Sequence, residues 1–327
     1  MADILVTGAT GLLGSQLVRR LVESEVGTTV RILRRSTSSL ALLGSAADQV
    51  EHHVGDITDP FAVRDALHGA KRVYHAAALI RFGGAADRKA MREVNVEGTA
   101  NVVNGALREE VERIVHVSSM AALGRPAHGD GLINESHPWA EDDRSQYAIS
   151  KYDSELEIQR GIAEGLDATI INPSLIFGIG RPGENTRRIV DRIRRERVPA
   201  FPPGGTNVVD VRDVVDGAIR AMHLGETGER YFLGSENLSF EEIFSTLADA
   251  FGVRAPRMRA PSSLVRAAAG VAEGLAMVTG TQPLLSGEQA RSATSFNRYS
   301  NRKARTKLSC TFRPFSETAR WLAAELA

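Results

Sequence analysis

The sequence is short of cysteine, lysine and long apolar runs, and each shortage excludes something. Among 327 residues the single cysteine, Cys310, cannot form an intramolecular disulfide, so a reducing compartment is expected. The most apolar late stretch, 264–285, is interrupted by Arg266, Glu273 and several glycines. It falls short of the roughly 18 uncharged residues that a membrane span needs, and reads instead as a helix covering a pocket or an interface. Met1-Ala2-Asp3 runs straight into Ile4-Leu5-Val6 without a basic region or a signal-length apolar run, which makes the cytoplasm the expected location. Excess charge is missing too: 40 basic and 40 acidic side chains cancel. A dedicated nucleic-acid binder carries a basic surplus to neutralise phosphates, so that class is excluded. Only five basic residues are lysine (Lys71, Lys89, Lys151, Lys303 and Lys307), so any motif that demands lysine carries unusual information here.

What is present is the material for a large core. Apolar residues make up 43% of a chain whose length corresponds to about two domains at roughly 150 residues each. Short β-branched runs at 4–7, 29–33, 50–54, 72–75, 113–117 and 168–171 alternate with amphipathic stretches at 12–23, 62–67, 88–107 and 145–163. Parallel strands need crossovers of this length, so the order predicts an α/β fold with a doubly wound parallel sheet. After Phe177 the alternation breaks into loops at 178–183 and 199–205. A helical stretch at 186–198 with six arginines lies between them and reads as a solvated face, with an anion site as the alternative. Strands at 208–211 and 230–233 and helices at 240–251, 264–278 and 318–326 follow.

The first strand ends in Gly8-Ala9-Thr10-Gly11-Leu12-Leu13-Gly14, which opens a helix. Glycines at this junction permit a tight turn and close approach of backbone N–H groups to a pyrophosphate, whose charge a helix N-terminus favours. This predicts a dinucleotide-binding domain over 1–178 plus about 206–233, with a smaller, mostly helical substrate lobe over 179–205 and 234–327. An acidic residue ending the second strand would bind a ribose 2′-hydroxyl, whereas arginine accepts a 2′-phosphate. Here the strand runs into Arg34-Arg35-Ser36 with no carboxylate, which favours NADP(H) over NAD(H). The alternative is a surface arginine cluster. Asp56 and Ile57 follow the third strand and fit the adenine, or Asp56 caps a turn. Ala76, Ala77 and Ala78, at the end of the fourth strand, leave room for ribose and phosphates, while His75 reads as a packed strand-end histidine.

Tyr147 and Lys151 stand four apart at the start of a helical stretch, on one face. A tyrosine hydroxyl has a pKa near 10, and an adjacent ammonium would lower it by favouring the phenolate. Tyr147 is thereby a candidate proton donor to a carbonyl oxygen. Lys151 is the only lysine between positions 89 and 303. Ser118 and Ser119 end the fifth strand on the ligand-binding edge of such a sheet, and Ser119 is the candidate to donate a hydrogen bond to a developing alkoxide.

Together these residues resemble the extended short-chain dehydrogenase/reductase superfamily, also called the NAD-dependent epimerase/dehydratase family, with its Rossmann-type sheet. The resemblance covers the glycine loop, Gly55-Asp56, His75-Ala76-Ala77, Asn95-Val96-x-Gly98-Thr99, Ser118-Ser119, Tyr147-x-x-x-Lys151, Asn172-Pro173-Ser174 and Val211-Arg212-Asp213-Val214. The chain is most similar to dihydroflavonol-4-reductase-like and hopanoid-associated epimerase-like proteins. The resemblance implies hydride transfer to a carbonyl carbon, with Tyr147 protonating the oxygen, Ser119 polarising it and Lys151 also holding the nicotinamide ribose. It further implies that Asn95 supports the site and that the Pro173-Ser174 backbone holds the carboxamide; Ser118 and Ile176 complete the expected cofactor set. Met120-Ala121-Ala122 replaces the acidic pair that drives elimination in sugar-nucleotide dehydratases, so a reductase is favoured, with a nucleotide-sugar epimerase or an NADPH-sensing binding protein as alternatives. The expected partner is a small carbonyl compound lying near Leu79-Ile80-Arg81-Phe82, Met120, Ile176-Phe177 and the segment after Pro199. No metal, nucleic acid or membrane span is expected, and a homodimer is compatible with these features.

Overall fold

The computed structural model describes residues 2–25, 27–81, 83–124, 131–140, 145–279 and 287–327. Strand β1 (Ile4–Thr7) is buried at every position and leads through the glycine loop into helix α1 (Leu12–Ser24). Then come β2 (Val30–Arg34), β3 (Glu51–Val54), α2 (Pro60–Leu67), β4 (Arg72–His75), α3 (Ala85–Met91) and α4 (Gly98–Arg108). The Asp59 carboxylate caps α2 by accepting from the Phe61 and Ala62 N–H groups, and Pro60 takes the first helical position, where its missing donor costs nothing. The core elements continue with β5 (Arg113–Val117), α5 (Gln146–Ala163) and β6 (Ala168–Pro173).

Beyond β6 the chain forms β7 (Leu175–Phe177), α6 (Asn185–Arg194), β8 (Ala200–Phe201), β9 (Gly205–Asp210), α7 (Val211–Leu224) and β10 (Arg230–Leu233). It closes with β11 (Glu236–Ser239), α8 (Phe240–Phe251), β12 (Met258–Arg259), α9 (Ser262–Thr279), α10 (Gly287–Thr294), α11 (Arg302–Lys307) and α12 (Phe315–Leu326). Seven strands make one parallel sheet in the order β10-β6-β5-β4-β1-β2-β3. The order reverses between β1 and β4, whose ends pair Thr7 with His75. In open α/β sheets ligands bind in the crevice at the carboxyl ends beside such a reversal.

Alternation along the strands feeds two apolar layers. Ile4 and Val6 pack with Leu17, Ile32, Val115 and Tyr231 on one face, while Leu5 packs with Val63, Val73, Val103 and Ile114 on the other. A third cluster joins Phe177, Val190, Ile193, Phe201, Ile243, Leu247 and Phe315, uniting α6, α8 and α12. The fully buried Phe177 belongs to this core and so does not line a pocket, contrary to the expectation from sequence. The arginine-rich helix α6 stops at Arg194 and buries Val190 and Ile193, with an Arg187–Asp191 ion pair at 3.0 Å along its polar side. The stretch expected as one helix over 88–107 is instead α3, a π-helical segment Arg92–Glu97 and α4. Helix α9 covers the expected 264–278; residues 280–285 and Phe82 lie outside the described residues. Among the described residues no helix is long and apolar enough to cross a membrane, and no group of His, Cys, Asp and Glu could hold a metal ion.

Two glycines set the geometry of the first crossover. Gly8 has φ +68°, and a Cβ there would stand 2.5 Å from the Ala76 carbonyl carbon and oxygen. A Cβ on Gly14 would overlap the Gly8 carbonyl oxygen, so α1 packs against the loop only if position 14 is bare. Substituting Gly14→Ala is therefore expected to destabilise the fold by about 1–3 kcal/mol in denaturant unfolding. Gly270→Ala in α9, with nothing among the described residues within 4 Å of the added carbon, should cost nothing in the same measurement.

Candidate active site

Helix α5 begins at Ser145, whose hydroxyl accepts from the Ala148 N–H at 3.0 Å and so fixes the turn that carries Tyr147. Opposite it, Ser119 follows β5 and opens a short 3-10 turn at Met120–Ala122, accepting from the Ala121 N–H at 3.2 Å. Tyr147 and Ser119 stand near enough for the serine hydroxyl to act on the phenol, so the residues chosen from sequence as proton donor and polarising group face one site. Lys151, one turn along α5, is 1% exposed and donates through Nζ to the Val117 carbonyl at 2.8 Å.

The electrostatics differ from expectation. Burial pushes the Tyr147 phenol above its ordinary value, with the Ser119 hydroxyl a smaller pull downward; an ammonium-driven lowering is not what governs it. Burial also lowers Lys151 to about 8, partly offset by the Glu155 carboxylate. The two desolvation effects act in opposite directions because one disfavours phenolate and the other ammonium.

Asn95 lies in the π-helical segment, a distortion that recurs at functional sites. Its Oδ1 accepts from the Leu79 N–H at 2.7 Å, and its Nδ2 donates to the Leu79 carbonyl and to Ser150 Oγ, each at 3.0 Å. Ser150 in turn donates to the Tyr147 carbonyl at 2.9 Å. Asn95 thus holds the backbone on either side of the Tyr147–Ser119 pair. Its own carbonyl accepts from Thr99 Oγ1 at 2.6 Å; His75 joins Thr99 Oγ1 at 2.9 Å and Thr7 Oγ1 at 2.7 Å. Burial, with the Lys151 charge second, lowers His75 to about 3, which keeps it neutral.

Several features fit a dinucleotide. Gly11 is the N-cap of α1 with no side-chain cap, and no acidic residue occupies the first turn, which begins Leu12-Leu13; those N–H groups and the helix dipole face the loop without a competing anion. Thr10, Gly11 and Gly14 complete that turn, and Ala76 and Ala77 lie against Gly8. Arg35 and Ser36 are exposed after β2, whereas Arg34 donates to His52 Nδ1 at 2.8 Å. Asp56 accepts from the Thr58 N–H at 3.0 Å and from its hydroxyl at 2.8 Å, the turn-capping role. Beneath α4, Ile57 packs against Gly98. The Ser174 N–H is spent on the Leu233 carbonyl at 2.9 Å and Pro173 has none, so this backbone would meet a carboxamide through carbonyl oxygens. The Ser174 hydroxyl is buried and without a partner among the described residues. Arg81 pairs with Asp87 at 3.0 Å; Ala78 is exposed, and Leu79 and Ile176 are partly buried.

The sequence reading passed over the support beneath Lys151. Glu155, one further turn along α5 and 3% exposed, accepts from Asn172 Nδ2 at 2.6 Å and pairs with Arg230 of β10 at 3.3 Å. Asn172 also donates to the Ser119 carbonyl at 3.0 Å, and the Ser118 hydroxyl faces the same carboxylate. The 147, 151, 155 spacing was the available signal.

The model of the NAD dependent epimerase/dehydratase family matches residues 4–234. The chain belongs to this family. It is 38% identical to sterol demethylase protein B of Methylococcus capsulatus, over 80% of this chain and 78% of that relative. It is also 34% identical to a Synechocystis protein provisionally named dihydroflavonol 4-reductase, over 86% and 82% of the two chains. The solved structure of gox2253 superposes with a TM-score of 0.83 at 33% identity, covering 99% of both chains. As an epimerase/dehydratase family member with reductase- and dehydrogenase-named relatives, the protein is an NAD(P)-dependent oxidoreductase.

Removing one partner of the Glu155–Arg230 pair leaves a buried charge uncompensated. Arg230→Met should cost about 3–5 kcal/mol in unfolding free energy, measured by denaturant titration. A change below about 1 kcal/mol would show that the pair is solvated and does not brace the site.

Proposed function

We propose that the protein is an NADP(H)-dependent reductase of an aldehyde or ketone carried on a hydrophobic, dihydroflavonol-like or other apolar small molecule. The observation that carries this reading is the placement of Tyr147 beside Ser119 with Lys151 buried one turn behind it and bonded to the Val117 carbonyl. When bound, the reduced nicotinamide supplies the hydride. Ser119 donates to the substrate oxygen, Tyr147 delivers the proton, and Lys151 holds the nicotinamide ribose while its charge favours the phenolate left behind. Asn95 keeps Tyr147 in register through Ser150. The raised phenol pKa suits donation, since the proton is present at neutral pH.

Cofactor choice is supported by the second-strand end, where exposed Arg35 and Ser36 stand without a carboxylate, the arrangement that accepts a 2′-phosphate. Reductase over epimerase is supported by Met120-Ala121-Ala122 after Ser119 and by the reductase name of the Synechocystis relative. An apolar substrate is supported by Met120 and Ile176 and by a relative whose name refers to sterols. In the same reading, residues 1–178 with about 206–233 form the cofactor domain, and 179–205 with 234–327 the substrate lobe. The cluster joining α6, α8 and α12 supports that lobe, although β9 pairs with β7 and β11 rather than with the main sheet.

Purified protein should oxidise NADPH in preference to NADH with at least one ketone from a panel of apolar carbonyl compounds, followed at 340 nm. Tyr147→Phe should lower that rate by at least about a hundredfold; an undiminished rate removes the assignment. The pH profile is a separate check. Lys151 must be protonated to act, and its pKa is lowered to about 8, so kcat/KM for reduction should be level below about pH 8 and fall above it. A profile flat to pH 10 would contradict a charged Lys151 in the reaction.

A further inference from the structure

The loop after β7 contains an arginine that the cofactor motifs do not include. Residues 178–183 lie over the N-terminus of α1: a Cβ on Gly178 would sit 2.9 Å from Leu12 Cδ1, and one on Gly180 would stand 3.8 Å from the same atom. From this position Arg181 reaches across the loop, and its Nη2 donates to the Thr10 carbonyl at 2.9 Å and to the Ser39 carbonyl at 3.3 Å. Thr10 belongs to the glycine loop and Ser39 to the segment that follows Arg34-Arg35-Ser36. One guanidinium therefore bridges the two loops that flank the expected track of the cofactor phosphates.

Two properties go beyond a structural staple. Carbonyl acceptors leave the cationic charge unneutralised, and the one carboxylate within 4 Å among the described residues, Glu184 at 3.9 Å, is half-exposed and therefore screened. The Nε–H is buried and has no partner among the described residues, although a guanidinium presents five donors and a buried donor left unmade is costly. A charge and a spare donor thus sit beside an uncapped helix N-terminus. We propose that Arg181 is a phosphate-binding residue of this enzyme, closing over the pyrophosphate of the dinucleotide from the side opposite the glycine loop.

The assignment rests on the dinucleotide reading of the glycine loop and adds to it a contact from outside the first crossover. It also separates two tasks among the arginines. Arg35 faces the 2′-phosphate that distinguishes NADPH from NADH, whereas Arg181 grips the pyrophosphate that both contain. Losing Arg181 must then weaken both cofactors alike.

Binding of ADP-ribose, NADPH, NADH and 2′-AMP to the whole protein, followed by calorimetry, tests this without turnover. Arg181→Ala should raise the Kd for ADP-ribose, NADPH and NADH by a common factor of about ten to a hundred, as expected for one lost charge-assisted hydrogen bond. 2′-AMP, which lacks the pyrophosphate, should bind unchanged, and Arg181→Lys should recover part of the loss because it keeps the charge. Equal weakening of 2′-AMP would mean that Arg181 only braces the loops, and would overturn the proposal. So would a loss confined to NADPH, or an unchanged Kd for ADP-ribose in a wild type that binds it. Failure of the wild type to bind ADP-ribose at all would overturn both this assignment and the cofactor reading beneath it.

Discussion

A positive charge held out of water at the carboxyl end of β5 is the constraint around which the rest of the site is arranged. Lys151 is almost completely buried, and its ammonium finds one neutral acceptor, the Val117 carbonyl. The remaining compensation comes from Glu155 on the same helix. That carboxylate is itself desolvated, which raises its pKa, and Asn172 and Arg230, hydrogen-bonded to it, act against that rise. Arg230 belongs to β10, the edge strand of the sheet. The chain must therefore run on past the six strands of the alternating half before the charge on α5 can be balanced. Such a network is a poor source of net stability, because desolvating each ion cancels most of the attraction. Its use lies in fixing where the ammonium and the Ser119 backbone stand.

Burial, reinforced by the same charge, accounts for two neutral histidines. His75 and His116 lie with ring centroids 5.1 Å apart and planes tilted by 38°, and burial, with the field of Lys151 second, drives both well below their ordinary pKa. As a neutral ring, His75 can accept with one nitrogen and donate with the other, which lets it join Thr7 on β1 to Thr99 on α4. Thr99 continues to Asn95, and Asn95 to Ser150 beside Tyr147. One buried chain of hydrogen bonds therefore links the strand that ends in the glycine loop to the helix that carries Tyr147. The glycine loop and the Tyr147 turn are thereby held in a common frame.

Local signals in the sequence located most of this frame. The strand ends, the glycine loop and the Tyr147–Lys151 spacing are encoded within a few residues each, and the strands of the first half fall within a residue or two of expectation. Features made by distant pairing were not legible. Strands β7 and β11 are short and acquire their partners only through β9, and the π-helical segment at Asn95 leaves no mark in the helical pattern around it. Glu155 sits at helical spacing from Lys151, but a carboxylate four residues beyond a lysine on a helix more often marks a solvated face. Arg181 was hidden by abundance, because in a chain with only five lysines arginine supplies most surface positive charge as well. The pKa of Tyr147 failed for a different reason: spacing shows that an ammonium is near, but only the packed structure shows how much water is removed.

That last distinction bears on the direction of the chemistry. A phenol lowered toward neutrality would stand ready to take a proton from an alcohol, while one raised by burial keeps its proton and is set to give it away. For the reductive reaction proposed here, the alkoxide formed by hydride addition is a strong base, so even a weakly acidic phenol transfers its proton downhill. The cost appears afterwards, when a phenolate remains in a dry pocket. Lys151 is the cation positioned to bear that cost: with its pKa lowered to about 8 it is still mostly protonated at neutral pH, with far less margin than an exposed lysine has. A developing negative charge on Tyr147 would raise the Lys151 pKa again, so proton donation by the phenol and retention of the proton by the ammonium reinforce each other. Burying both groups together thus couples them more tightly than either would be coupled in water.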